Sequence, residues 1–146
     1  MVSRDQATRP LPHPTPLTQP FWDATREGRL IVQRCSTCRA WVWTPQMACR
    51  DCLTETLEWE PVAGKGHVYT YVVIHQAAIA AFKAPYVIAV VELDEGPRLF
   101  TDLVQVEPAS VCIDLPVELA WEFVDEVGLY HFRPVDPALR TDGDGG

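Results

Sequence analysis

The chain has 146 residues, 47% of them hydrophobic and 22% charged, with a formal net charge of −8. This is enough for one ordinary core, or for a small metal-stapled module beside a compact domain, and too apolar for a disordered chain. Residues 1–60 carry seven Lys/Arg and seven Asp/Glu, whereas residues 61–146 carry five and thirteen. The acidic second half therefore argues against a nucleic-acid face there, because phosphate binding relies on Lys and Arg. The longest apolar run, Tyr86 to Val91, is far too short to cross a membrane. Residues 1–18 have no continuous apolar stretch of the kind a signal peptide needs. The expectation is a reduced, cytoplasmic protein with no membrane partner.

In chain order, residues 1–19 alternate proline at Pro10, Pro12, Pro14 and Pro16. Alternating proline forbids helix and favours an extended arm, read either as a loose tail or as a segment lying across a partner. Thr18 is the expected N-cap of a short helix with Pro20 in its first turn and Gly28 at its end. Phe21, Trp22, Ala24 and Thr25 form its apolar side. Residues 30–33 read as a strand entering a cysteine-rich segment, and residues 41–45 as a strand leaving it. Trp41 and Trp43 are expected to cover the thiolates and one side of this small sheet.

Between those strands, Cys35-Ser36-Thr37-Cys38 and Cys49-Arg50-Asp51-Cys52 repeat one Cys-x-x-Cys pattern ten residues apart. Two such knuckles place four sulfurs at the corners of a tetrahedron, the arrangement that zinc takes from thiolates. With all four positions filled by sulfur there is no open site for water, so the zinc is structural. A rubredoxin-type iron uses the same four ligands, and spacing alone leaves that alternative open.

From Thr56 the pattern turns to strands. Leu57, Trp59 and Pro61 alternate with Glu58 and Glu60, and residues 64–66 read as a turn. Strands follow at residues 67–74, 86–93, 98–104, 117–123 and 129–133. A turn falls at 94–97, and another at Pro108-Ala109-Ser110. Five strands with short links fit a closed OB-fold barrel. The division expected is an arm at 1–19, helix and ribbon at 20–60, barrel at 61–135 and a disordered tail at 136–146.

The segment from His75 to Pro85 is long, apolar and almost uncharged. It reads either as a short helix capping the barrel or as a binding loop in which Lys83 meets a phosphate and Ile79 and Phe82 face an apolar or adenine group. His13, His67, His75 and His131 are scattered, no nucleophile or phosphate-loop motif appears, and Cys112 reads as a buried structural cysteine. The residues describe a ribbon joined to a barrel, built to bind rather than to react.

An ordered series of motifs then carries a resemblance: Gly28-Arg29-Leu30 before Gln33-Arg34-Cys35, the paired knuckles, Trp59, Gly64-Lys65-Gly66, Ala84-Pro85 through Leu93, Glu95-Gly96-Pro97-Arg98-Leu99, and Phe132-Arg133-Pro134. From Phe21 to Pro134 the sequence resembles the rubredoxin-like zinc-ribbon/OB-fold proteins associated with acyl-CoA and thiolase-like enzymes. Members often carry glycine soon after each knuckle, where this chain has Arg39-Ala40 and Leu53. The resemblance implies a non-catalytic companion of a thiolase-fold enzyme, a thiolase or a steroid side-chain aldolase. It implies structural zinc, no redox cofactor, and help in holding or passing on a coenzyme A thioester at the barrel mouth. His75, Ile79, Phe82, Lys83 and Tyr86 are the candidate contacts to acyl-CoA or partner. Arg26, Arg29, Arg34, Arg39 and Arg50 surround the ribbon, where they either meet phosphates or an acidic face, or simply lie in solvent. The competing reading is a single-stranded nucleic-acid binder, since ribbons and OB-folds both serve that role.

Overall fold

The computed structural model describes residues 10–135. Helix α1 (Gln19–Arg26) leads into a three-stranded antiparallel sheet in the order β2-β1-β3, made of β1 (Ile31–Cys35), β2 (Trp41–Val42) and β3 (Leu57–Pro61). The chain then forms β4 (Lys65–Ile74), β5 (Tyr86–Leu93), β6 (Arg98–Leu103), a 3-10 turn (Pro108–Ser110), β7 (Pro116–Val124) and β8 (Val127–Pro134). These five strands close into a barrel in the order β4-β5-β6-β8-β7, with β7 returning to β4 and β8 running parallel to β6 at Leu103 and Phe132. That circuit is the five-stranded Greek-key barrel expected from the strand count.

Period-two alternation decides what each strand buries. On β5, Val87, Ala89, Val91 and Leu93 point inward and are at most 1% exposed. Leu99, Thr101 and Leu103 are the buried, inward residues of β6, and Val68, Val117 and Phe132 complete the core. The alternate residues Tyr86 and Ile88 of β5, and Arg98, Phe100 and Asp102 of β6, stand on the outer wall. The helix buries Phe21, Ala24 and Thr25 and packs on β8. It comes so close there that a Cβ on Gly128 would lie 2.2 Å from the Thr25 carbonyl oxygen. The Phe21 ring sits at the junction of helix, ribbon and barrel, with centroids 4.9 Å from Trp22, 5.2 Å from Trp43 and 6.0 Å from Tyr130.

Several local expectations change. Thr18 occupies the N-cap position, but its hydroxyl accepts from the Thr15 amide at 2.9 Å and does not cap the helix. The strand expected at residues 41–45 stops at Val42. Beyond it, the side chain of Gln33 replaces a strand partner: its Nε2 donates to the Gln46 carbonyl at 3.0 Å and its Oε1 accepts from the Gln46 amide at 2.7 Å. The turn expected at 64–66 shrinks to Gly64, since Lys65 and Gly66 already belong to β4. Trp41 and Trp43 do not cover the thiolates. Val42, with Ala40 and Leu57, packs on Cys35 and Cys49, while the tryptophans pack toward the main core on the other side. Residues 75–85 form turns and bends without a helix, because an eleven-residue segment needs a packing surface to hold helical structure. Cys112 is exposed: Val111 takes the inward position after the 3-10 turn and leaves its neighbour outside. The tail expected at 136–146 and the first nine residues of the arm lie outside the described residues.

Candidate functional site

The two knuckles are built alike. In each, the amide of the fourth residue past the first cysteine donates back to that cysteine's carbonyl, Arg39 to Cys35 and Leu53 to Cys49, both at 2.9 Å. Arg39 (φ 65°) and Leu53 (φ 63°) both adopt the left-handed conformation that glycine adopts without cost. The sulfurs of Cys35, Cys38, Cys49 and Cys52 all lie within 4.8 Å of one another, with Cys35–Cys52 and Cys38–Cys49 separations of 3.6 Å. Zinc–sulfur bonds of ~2.3 Å in a tetrahedron need sulfur–sulfur edges of about 3.8 Å, so the donor set fits a structural zinc.

The thiols support the same conclusion. The Cys38 amide and the Thr56 hydroxyl draw the Cys35 thiol down to about 5, and Thr54 lowers Cys52. The Ala40 amide favours the Cys38 thiolate, but burial and the three neighbouring sulfurs outweigh it and push Cys38 up to about 12. Four thiolates this close need a cation to coexist.

A second feature lies on the barrel's outer wall rather than at its mouth. A groove of about 800 Å³ is floored by outward residues of β5 and β6, including Tyr86, Ile88 and Phe100. Phe82 and Lys83 of the 75–85 loop form one side, and Trp22 of α1 with Leu129 and Tyr130 of β8 form the other. Of the five candidate contacts, the structure brings Phe82, Lys83 and Tyr86 together here, with Phe82 and Tyr86 ring centroids 5.9 Å apart. His75 and Ile79 are exposed on the same loop and do not line the groove. Pro10, Leu11 and Pro12 of the arm do line it, so this part of the arm lies across its own protein.

Sequence reading missed the polar end of this groove. His131, 8% exposed, sits between two carboxylates, with Nδ1 2.5 Å from Asp102 Oδ1 and Nε2 2.7 Å from Glu122 Oε2. The bond to Asp102 raises its pKa above the usual value, and Glu122 adds to this while burial opposes it. Both ring nitrogens face carboxylates, so neither points at open space in the groove. Burial and the nearby Asp102 push Tyr130 up to about 12, and its hydroxyl donates to the Phe100 carbonyl at 3.0 Å. Asp102 lies 29 residues from His131 and meets it only through the β6–β8 pairing, whereas Glu122 lies nine residues away across the β7–β8 hairpin. Strict alternation outward from Phe132 was the one available signal.

Two family models cover most of the described chain. Residues 22–58 match the rubredoxin-like zinc ribbon domain of ChsH2, and residues 59–122 match its C-terminal OB-fold domain. A DUF35 domain-containing scaffold protein of Methanocaldococcus jannaschii is 37% identical over 117 residues, covering 73% of this chain and 82% of that protein. The chain belongs to the DUF35/ChsH2 family. Among solved structures, a chain described as "Ltp2-ChsH2(DUF35) aldolase" superposes with a TM-score of 0.77 at 38% identity, over 85% of this chain and 98% of that one. A probable enoyl-CoA hydratase alpha subunit of Thermomonospora curvata is 42% identical over 121 residues, 80% of this chain. The present chain spans only 37% of that subunit's length. No helix among the described residues is long and apolar enough to cross a membrane.

Proposed function

We propose that the chain is a non-catalytic subunit of a thiolase-fold enzyme, a thiolase or retro-aldolase of acyl-CoA or steroid side-chain degradation. It stabilises that enzyme and helps to hold its coenzyme A thioester. The observation that carries this reading is the likeness to a solved chain, over 98% of that chain's length, described as "Ltp2-ChsH2(DUF35) aldolase". The scaffold description of the Methanocaldococcus relative supports it. So does a groove whose histidine is locked between carboxylates rather than poised beside a nucleophile. In this reading residues 20–60 are the zinc-held ribbon and 61–135 the barrel, and the protein works in the cytoplasm without a redox cofactor. Phe82, Lys83 and Tyr86 face the thioester, while the exposed His75 and Ile79 meet the partner.

The test is a pull-down of the tagged full chain from its native lysate, with mass spectrometry of partner and metal and an assay of the isolated chain on acyl-CoA. Zinc, a thiolase-fold partner and an inert isolated chain are expected. Turnover by the chain alone, or recovery of nucleic acid in place of an enzyme, would reject the proposal.

A further inference from the structure

A second cavity of about 450 Å³ lies where the ribbon meets the barrel, lined by Trp41, Trp43, Arg50, Asp51, Gly96 and Arg98 among others. Its volume is in the range of small-molecule sites. Arg34 stacks its guanidinium over the Trp41 ring at 4.6 Å, so a cation already backs an indole that borders the cleft. Arg98 is held by a cation–π contact with Tyr69 at 3.9 Å and by Nε donation to Glu92 at 2.9 Å, which leaves its other guanidinium edge unassigned. Arg26, Arg29, Arg34, Arg39, Arg98 and Arg133 each have a carboxylate partner. Among the described arginines, Arg50 has none. Two arginines, one of them without a carboxylate partner, stand beside indole rings, and guanidinium groups and aromatic faces are what a phosphorylated aromatic base would meet. Asp51 adds an acceptor suited to a ribose hydroxyl or an exocyclic amine.

The cleft and the outer-wall groove are neighbours. Arg98 borders the cleft, while Phe100 and Asp102, the next outward residues of the same strand, line the groove. At ~3.3 Å per residue, Arg98 and Asp102 are about 13 Å apart. Trp43 of the cleft and Tyr130 of the groove also touch, with centroids 6.2 Å apart. We propose that the ribbon–barrel cleft binds the adenosine 3′,5′-bisphosphate end of a coenzyme A thioester whose acyl end lies in the groove, an extended pantetheine arm spanning the two. This rests on the thioester-holding role proposed above and assigns the nucleotide to this chain rather than to the partner.

The experiment is calorimetric titration of the zinc-loaded full chain with coenzyme A, adenosine 3′,5′-bisphosphate, ADP and pantetheine. Coenzyme A and the bisphosphate are expected to bind, with ADP weaker and pantetheine alone weakest. Arg50→Glu, an exposed residue with no ion pair to lose, should weaken both at least ten-fold while zinc content and melting stay unchanged. Arg98→Ala should weaken them as well. No bisphosphate binding, binding indifferent to Arg50→Glu, or a preference for single-stranded oligonucleotide would each overturn the cleft. ADP binding as tightly as the bisphosphate would make it a free-nucleotide site and overturn the coenzyme A assignment. A thiolase-fold partner in the pull-down with no nucleotide binding here would leave the proposed function standing and remove only this site. Nucleotide binding without such a partner would do the reverse.

Discussion

At the scale of single residues, His131 and Leu53 make opposite demands on the fold. Protonated His131 satisfies Asp102 and Glu122 together, so its pKa is higher folded than unfolded. Its contribution to stability is therefore complete below the unfolded value of ~6.5 and is lost as pH rises through the folded value. Chemical denaturation between pH 6 and 9 should show stability falling across that window. His131→Asn should lower stability at pH 6 and flatten the slope, and an unchanged slope in the variant would assign the pH dependence elsewhere. Leu53, in contrast, is 79% exposed and held at φ 63°. The left-handed conformation costs ~1–2 kcal/mol for a side-chain-bearing residue, and glycine returns ~0.5–1 kcal/mol of that in unfolded-state entropy. Leu53→Gly should raise stability by about 0.5–1 kcal/mol, read as a higher melting temperature. The absence of glycine at this position was visible in the sequence, and the positive φ shows what that absence costs.

At the scale of elements, the seating of α1 depends on a missing side chain. Gly128→Ala would drive a methyl into the Thr25 carbonyl, and since neither backbone can yield, α1 must lift from β8. Overpacking of this kind costs ~1–3 kcal/mol, and lifting the helix also disturbs the Phe21 junction. A loss of about 2 kcal/mol or more is expected in urea unfolding, with altered tryptophan fluorescence. Strand positions were largely legible because burial follows alternation: β5 was expected at residues 86–93 and occupies Tyr86–Leu93. The strand expected at residues 41–45 contains β2, but its early end at Val42 was not legible, because a side chain, Gln33, supplies the hydrogen bonds to Gln46 that periodicity would assign to a strand. The 75–85 loop shows a further limit. Its composition permits a helix, but the segment runs as turns and bends with Phe82 set against Tyr86.

At the scale of the molecule, the ribbon and barrel differ in what holds them. The barrel has a continuous apolar core, whereas the ribbon's own cluster of buried residues is Cys35, Val42 and Cys49. So small a core cannot hold a fold without its metal. Chelation, or Cys49→Ala, should abolish metal binding and speed hydrogen exchange across residues 30–55 while the barrel strands stay protected. Unchanged exchange in the ribbon after metal removal would show that packing against α1 is sufficient.

The four-cysteine cluster, most of the strands and the family resemblance were carried by the sequence alone, because each rests on local spacing or on alternation along one strand. The functional surfaces were decided by tertiary structure. Asp102, His131 and Glu122 meet only when β6, β8 and β7 pair, and the groove forms only where loop, helix and arm converge on the barrel's outer wall. The Arg50–Arg98 cleft joins ribbon to barrel across residues 48 positions apart in the chain. Local sequence records which face of a strand is buried, but barrel closure and helix docking determine which outward faces become neighbours.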